Sequence, residues 1–198
     1  IQNDFKIALS SGIRDINGKV DFDYYASPEH KLKFGAQYIF HTFLPNLVSG
    51  SQGETEFNPQ NTGRKFGREF AVYVQDDWEL SKIVKLNAGI RASGFSQVGP
   101  YTRFEKDALG NPLDSSFYGK GSPVKTYGGI EPRLTARFVT GANSSFKAAI
   151  TRNLQYIHLA TNSGTTLPTD LWVPSTYRVQ PQKGWQYAAG YFKNFDNN

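Results

Sequence analysis

Between Arg68 and Phe95 the chain alternates apolar and polar residues with a period of two, in two runs of about a dozen residues joined by Ser81-Lys82-Ile83. The first run places Phe70, Val72, Val74, Trp78 and Leu80 on one side and Glu69, Tyr73, Gln75, Asp77 and Glu79 on the other. The second sets Val84, Leu86, Ala88, Ile90 and Ala92 against Lys85, Asn87, Gly89, Arg91 and Ser93. A period of two belongs to an extended strand, so the segment predicts a β-hairpin. Strands of soluble domains most often run about five or six residues, whereas a strand tilted across a bilayer needs about 9–11. Arm length therefore points to a membrane-spanning sheet.

The same pattern recurs along the chain. Ile13–Ala26 sets Ile16, Val20, Phe22 and Tyr24 against Asp15, Asn17, Lys19, Asp21 and Asp23, and Lys31–Phe43 sets Leu32, Phe34, Ala36, Tyr38 and Phe40 against Lys33, Gly35, Gln37 and His41. Ser27-Pro28-Glu29-His30 joins them by turn chemistry, with Pro and Ser in their usual places. Tyr127–Val139 and Ser145–Tyr156 flank Gly141-Ala142-Asn143-Ser144, and a last strand covers Trp185–Phe195 with faces the pattern does not orient. Residues 1–11 carry one weak patch (Phe5, Ile7, Leu9) that reads as a loop or the end of an earlier strand. Three aperiodic stretches, 45–65, 98–124 and 158–183, separate the hairpins, so short and long connections alternate. Loops longer than about 15 residues are uncommon in compact domains. All of them at one end of a meander is the rhythm of outer-membrane barrels, with short turns on one side and long loops outside. The expected fold is an all-β antiparallel meander of about seven strands, a partial wall of a large transmembrane β-barrel.

Composition agrees with that wall and excludes several other classes. Hydrophobic residues are 38% and aromatics 15%, and many aromatics fall near strand ends, as in an interfacial girdle. The face carrying Lys85, Arg91, Glu131, Arg133, Arg137 and Lys147 is too charged for a packed sandwich core and fits a wet or plugged lumen. Absence of Cys removes disulfides and thiolate chemistry, and absence of Met, with no signal sequence in view, leads to the expectation of an internal piece of a longer protein. The net charge of +5 is dispersed singly among apolar residues, so no nucleic-acid partner is expected. No GxSxG, HExxH or phosphate-binding glycine loop occurs, and the paired Asp76 and Asp77 point to opposite faces, so no enzyme and no cofactor are expected.

At the level of motifs, Tyr73-Val74-Gln75-Asp76-Asp77-Trp78 followed by Leu86-Asn87-Ala88-Gly89-Ile90-Arg91 resembles the YxQDxW … LNxGxR hairpin of TonB-dependent outer-membrane receptors. Ile130-Glu131-Pro132-Arg133 and Leu32-Lys33-Phe34-Gly35 resemble two further strands of that family. Gln155–His158 with Leu167–Pro174 is similar to a loop of the subgroup that carries a carboxypeptidase-like regulatory domain before its plug. The resemblance spans nearly the whole chain. It implies a 22-stranded barrel with an N-terminal plug, which imports a scarce ligand using force relayed by the TonB complex. Plug, TonB-contacting segment and signal peptide are expected to be absent from residues 1–198, which then form one segment of the barrel domain.

The expected function is outer-membrane nutrient uptake, with this chain as wall and extracellular mouth. Its partners are membrane lipid, a small-molecule or oligomeric nutrient, and TonB through the plug. The alternatives are a non-transporting barrel that anchors surface partners and, least supported, a soluble β-sandwich. Ligand contact is expected in the loop 158–182, through Tyr156, His158, Asp170, Trp172, Tyr177 and Arg178, which mix aromatic platforms with charge. Asp76 on the apolar side reads as interfacial, and Trp78, Tyr24, Phe138 and Phe146 as the girdle near the short turns. His30, His41 and His158 read as exposed or lumen-lining, without carboxylate partners and without a metal. Ser93 and Thr135 are expected to face the lumen and to tolerate lysine, whereas Ala88 and Leu134 face lipid and do not.

Overall fold

The computed structural model describes residues 5–52, 55–57, 63–107, 109, 111–160 and 171–195. Twelve strands follow in order: β1 (Phe5–Tyr25), β2 (His30–Gln52), β3 (Thr55–Phe57), β4 (Lys65–Trp78), β5 (Val84–Val98), β6 (Tyr101–Lys106), β7 (Pro112–Tyr118), β8 (Pro123–Gly141), β9 (Ser144–Gln155), β10 (Ile157–Ala160), β11 (Leu171–Pro174) and β12 (Gln182–Lys193). Seven of them, β1-β2-β4-β5-β8-β9-β12, form one antiparallel sheet in chain order, and β3 pairs with β2. The neighbours are sequential throughout, so the sheet is a meander. Among the described residues β1 and β12 are its two unpaired edges.

The seven wall strands run from 12 to 23 residues, several of them longer than the alternation alone indicates. Backbone pairing explains the excess: Phe5 to Ser10 of β1 pair with Gln52 to Leu47 of β2, so residues 5–11 belong to the first strand and do not end a loop. The long connections are likewise structured. Residues 98–124, expected to be irregular, contain the β6–β7 hairpin, and 158–183 contain the β10–β11 hairpin.

Register carries the sequence faces across the whole sheet. Leu32, Asp76, Ala88, Leu134, Ile150 and Tyr187 lie opposite one another from β2 to β12, and Ala36, Val72, Ala92 and Ile130 form a parallel row. Trp185, Tyr187, Ala189 and Tyr191 of β12 oppose Arg152, Ile150, Ala148 and Phe146, which orients the last strand. The rows drift along the strands: His30 is the first residue of β2, whereas Ala148 in the same row is the fifth of β9. Such a stagger tilts strands in a sheet that curls towards a barrel. The apolar side is left bare, with Val72 58% and Tyr187 72% exposed.

The buried residues lie mostly on the other, polar side. His41, Phe43, Ala71, Phe95 and Glu131 are all 6% exposed or less and occupy its long-loop half. The polar face is therefore not uniformly wet. There β11, paired with β10, lies against β1 and β2.

Candidate functional site

On the polar face a continuous polar network crosses six strands, from Asp15 on β1 to Leu154 on β9. His41 Nδ1 lies 2.8 Å from Asp15 Oδ1, and its Nε2 lies 3.6 Å from Glu69 Oε2. Arg91 reaches Glu69 at 4.0 Å, Glu131 at 3.7 Å and donates to Gln37 Oε1 at 3.3 Å. Ser93 Oγ donates to Glu131 Oε1 at 2.5 Å, and Leu154 N donates to Glu131 Oε2 at 3.3 Å. The proton of Ser93 is thus committed to Glu131, so Tyr156 OH donates to Ser93 Oγ at 2.9 Å. Paired charges remain tolerable at such burial because each has a counter-charge or a hydrogen bond. His41 and His158 are buried, and His30 and His41 have carboxylates beside them, contrary to the expectation of histidines without carboxylate partners. Ser93, 5% exposed and bonded twice, is no open lumen position and will not accept lysine as expected, although Thr135 stays exposed.

Aromatic rings fill the space between these charges. Phe95 stacks on Tyr156 with centroids 5.7 Å apart, and His41 packs against Phe43 at 5.9 Å and Phe95 at 6.2 Å. Lower on the same face Tyr73 hydrogen-bonds Asp21 across β2. Glycine is required between them: a Cβ at Gly35 would sit 2.4 Å from Val20 O and 2.7 Å from Tyr73 OH. Below lies a recess of about 330 Å³ lined by Lys19, Lys33, Gln37, Tyr73, Arg91 and Arg133, four of them cations. Its chemistry suits an anionic group.

The loop beyond β9 is fastened to this network from above. Ser175 N and Oγ both donate to Tyr156 O, at 2.7 and 2.9 Å, and Tyr127 OH donates to Thr176 O at 2.7 Å. With the Ser175 proton so used, His158 Nε2 is the donor in its 3.1 Å contact with Ser175 Oγ. Burial pushes the His158 imidazole below its ordinary value and the Tyr156 hydroxyl above its own, so both stay neutral donors. The neighbouring long loop joins in: the Arg103 and Arg178 guanidinium groups lie 5.1 and 5.3 Å from the Tyr177 ring. Burial, then a hydrogen bond with Tyr177, raises the Tyr101 hydroxyl.

Of the six residues expected to contact ligand, Tyr156 and His158 form the buried base of the loop. Trp172 is 39% exposed, Tyr177 is partly exposed and Arg178 exposed at its rim, and Asp170 lies outside the described residues. The sequence reading missed Arg103 as their neighbour and the whole His41–Glu131 network. Near the short turns, Asp76 Oδ2 meets His30 Nδ1 at 2.7 Å, and the His30 ring stacks on Trp78 at 5.2 Å. This gives Asp76 a partner on the apolar side. Among the described residues, no group of three or more His, Cys, Asp or Glu is arranged to hold a metal ion.

An antiparallel meander of long strands with one bare apolar face and one charged face is the wall of a large β-barrel. The chain is similar in structure to the copper transporter OprC, with a TM-score of 0.61 and 11% identity over 96% of this chain and 29% of that one. The chain thus spans less than a third of that transporter's length. No family model matches the sequence, and no curated protein matches it.

Proposed function

We propose that the chain is the wall and extracellular mouth of a TonB-dependent outer-membrane receptor that takes up a scarce nutrient. The observation that carries this reading is the exposed apolar face: Phe22, Phe34, Val74 and Ile90 form one row, and the next row runs from Ala88 through Leu134 and Ile150 to Tyr187. On β4 the span from Phe70 to Trp78 covers about 27 Å along the strand, or about 20 Å at a tilt near 40°, close to the roughly 25 Å apolar band of such barrels. Trp78, Tyr24, Phe138 and Phe146 mark its short-turn border, and Phe40 and Phe66 its long-loop border. The two open edges call for further strands, since unpaired edges are otherwise covered or blunted.

The family resemblance, including the subgroup with a carboxypeptidase-like regulatory domain, supplies the plug and the TonB contact. Ligand is met by the rim residues Trp172, Tyr177 and Arg178, with Arg103 beside them, while Tyr156 and His158 hold the rim in place and Asp170 completes the loop. The basic recess below offers the next contact for an anionic group. Copper, named for the similar transporter, is not assigned to this chain.

The test is uptake by cells that carry or lack the gene for the full-length protein, with TonB present or deleted. Nutrient-dependent growth that needs both genes supports the reading. An assembled barrel with no uptake phenotype in either background would replace it with the surface-anchor alternative.

A further inference from the structure

The apolar face changes character at its long-loop end. Phe40 and Phe66 stack there at 6.0 Å, and the chain after β5 folds back beside them, with Gly121 N donating to Gly99 O and Gly99 N to Ser122 O, each at 2.9 Å. Between these groups lies a recess of about 340 Å³ lined by Phe40, Phe66, Arg68, Val98, Pro100 and Lys120. Four of these are apolar and two are cations.

Arg68 stands on the apolar side of β4, in the row Phe40, Arg68, Ser96, Thr126 where the apolar band ends. Its Nε is buried without a hydrogen-bond partner, and no ion pair joins Arg68 or Lys120 to a carboxylate among the described residues. Another arginine on this side, Arg152, differs: it donates to Ile130 O at 3.2 Å and covers the Trp185 ring at 5.8 Å. The guanidinium of Arg68 is instead pressed against the turn. A Cβ at Gly121, whose φ is 78°, would lie 3.0 Å from its Nη2, so bare backbone makes room for it. An unpartnered guanidinium at the edge of an apolar surface calls for an anion that itself brings apolar atoms.

We propose that this recess binds the phosphate-bearing headgroup of an outer-leaflet lipid. The phosphate lies between Arg68 and Lys120, and the start of an acyl chain lies on Phe40, Phe66, Val98 and Pro100. A guanidinium binds phosphate oxygens two at a time, which suits Arg68, and the flexible ammonium of Lys120 adds a second charge from the loop. A small soluble anion would use the cations and leave the apolar lining bare. The site rests on the reading that the apolar face meets a bilayer, and its place at the long-loop end puts it in the outer leaflet.

The experiment uses the full-length protein reconstituted into phosphatidylcholine vesicles and then analysed by native mass spectrometry with added diphosphoryl lipid A. Dephosphorylated lipid A of the same acyl content and inorganic phosphate are the comparison probes. The wild type should retain diphosphoryl lipid A. Lys120→Gln and the Arg68→Gln/Lys120→Gln pair should weaken retention, the pair by about tenfold or more, as expected for loss of a charge-assisted hydrogen bond. Lys82→Gln, at the short-turn end, should match the wild type. Dephosphorylated lipid should bind at least about tenfold more weakly, and inorganic phosphate should not displace the lipid. Equal retention by wild type and Lys120→Gln, or displacement by inorganic phosphate, overturns the lipid site; the exposed Lys120 keeps the test valid if Arg68→Gln fails to assemble. A wild-type protein that does not enter vesicles overturns the membrane reading itself, whereas one that enters and holds no lipid overturns this site alone.

Discussion

Replacing Tyr156 or Ser93 should loosen the β10–β11 loop by amounts that follow from the hydrogen bonds beneath it. Tyr156→Phe keeps the stack on Phe95 and removes the 2.9 Å bond to Ser93, whose own proton still goes to Glu131. One neutral hydrogen bond is lost with little left unsatisfied, a cost of about 1 kcal/mol and about fivefold faster local opening. Ser93→Ala costs more, because it strips a partner from both Tyr156 OH and Glu131 Oε1 at a site where Ser93 is 5% exposed. About 2–3 kcal/mol is expected, or roughly 30- to 150-fold. Because both changes delete the same Tyr156–Ser93 bond, the double variant should fall short of the sum by about 1 kcal/mol. Hydrogen exchange of peptides covering residues 156–160 and 171–176, in the assembled full-length protein, reads these openings. Unchanged exchange in both variants, or costs that simply add, would refute the tether.

Lysine at Leu134, on the exposed apolar row, should impair barrel assembly by about 2–4 kcal/mol while lysine at Thr135 changes little, measured as folded fraction on a heat-modifiability gel; equal damage would reverse the faces. Burial holds the His158 imidazole below its unfolded value near 6.5, so its neutral form stabilises the loop fully above that pH, and the loop should open progressively as pH falls through about 6.5. Exchange of residues 156–160 against pH should show this slope, and His158→Gln should flatten it. Trp172→Ala and Tyr177→Ala should each weaken nutrient binding by about thirtyfold, at least about 2 kcal/mol, with the barrel intact; unchanged affinity on purified folded variants removes both from the site.

Strand identity and face assignment were readable because alternation is local: Leu86, Ala88 and Ile90 announce their side without knowledge of a partner. Strand length was not, because residues 44–52 mix Leu44, Pro45, Asn46 and Gly50 and become a strand through pairing with β1. Pro112 and Asp114 likewise hid the β6–β7 hairpin. The polar network needed register, and part of it was present in the numbering. Asp15 and His41 stand equally far from the turn at 27–29, and Tyr73 and Arg91 equally far from the turn at 81–83, so counting outward from each short turn places each pair face to face. The contacts from Glu69 to Arg91 and from Ser93 to Tyr156 join residues not directly opposed and depend on side-chain reach. No periodic signal marks the return of the loop onto the wall, which is why the burial of His158 was not legible in the sequence.

The central claim is that one face of the sheet meets lipid, and a scan of single cysteines tests it directly. The chain contains no cysteine, so each introduced thiol is the one labelled within it. Placed at Ala88, Ile90 and Leu134, and in separate variants at Lys85, Asn87 and Thr135, each thiol carries a fluorophore in the full-length protein reconstituted into vesicles. The account predicts quenching by brominated acyl chains at the first three and by aqueous iodide at the second three, alternating residue by residue. Iodide quenching at both sets, or no alternation, would contradict it.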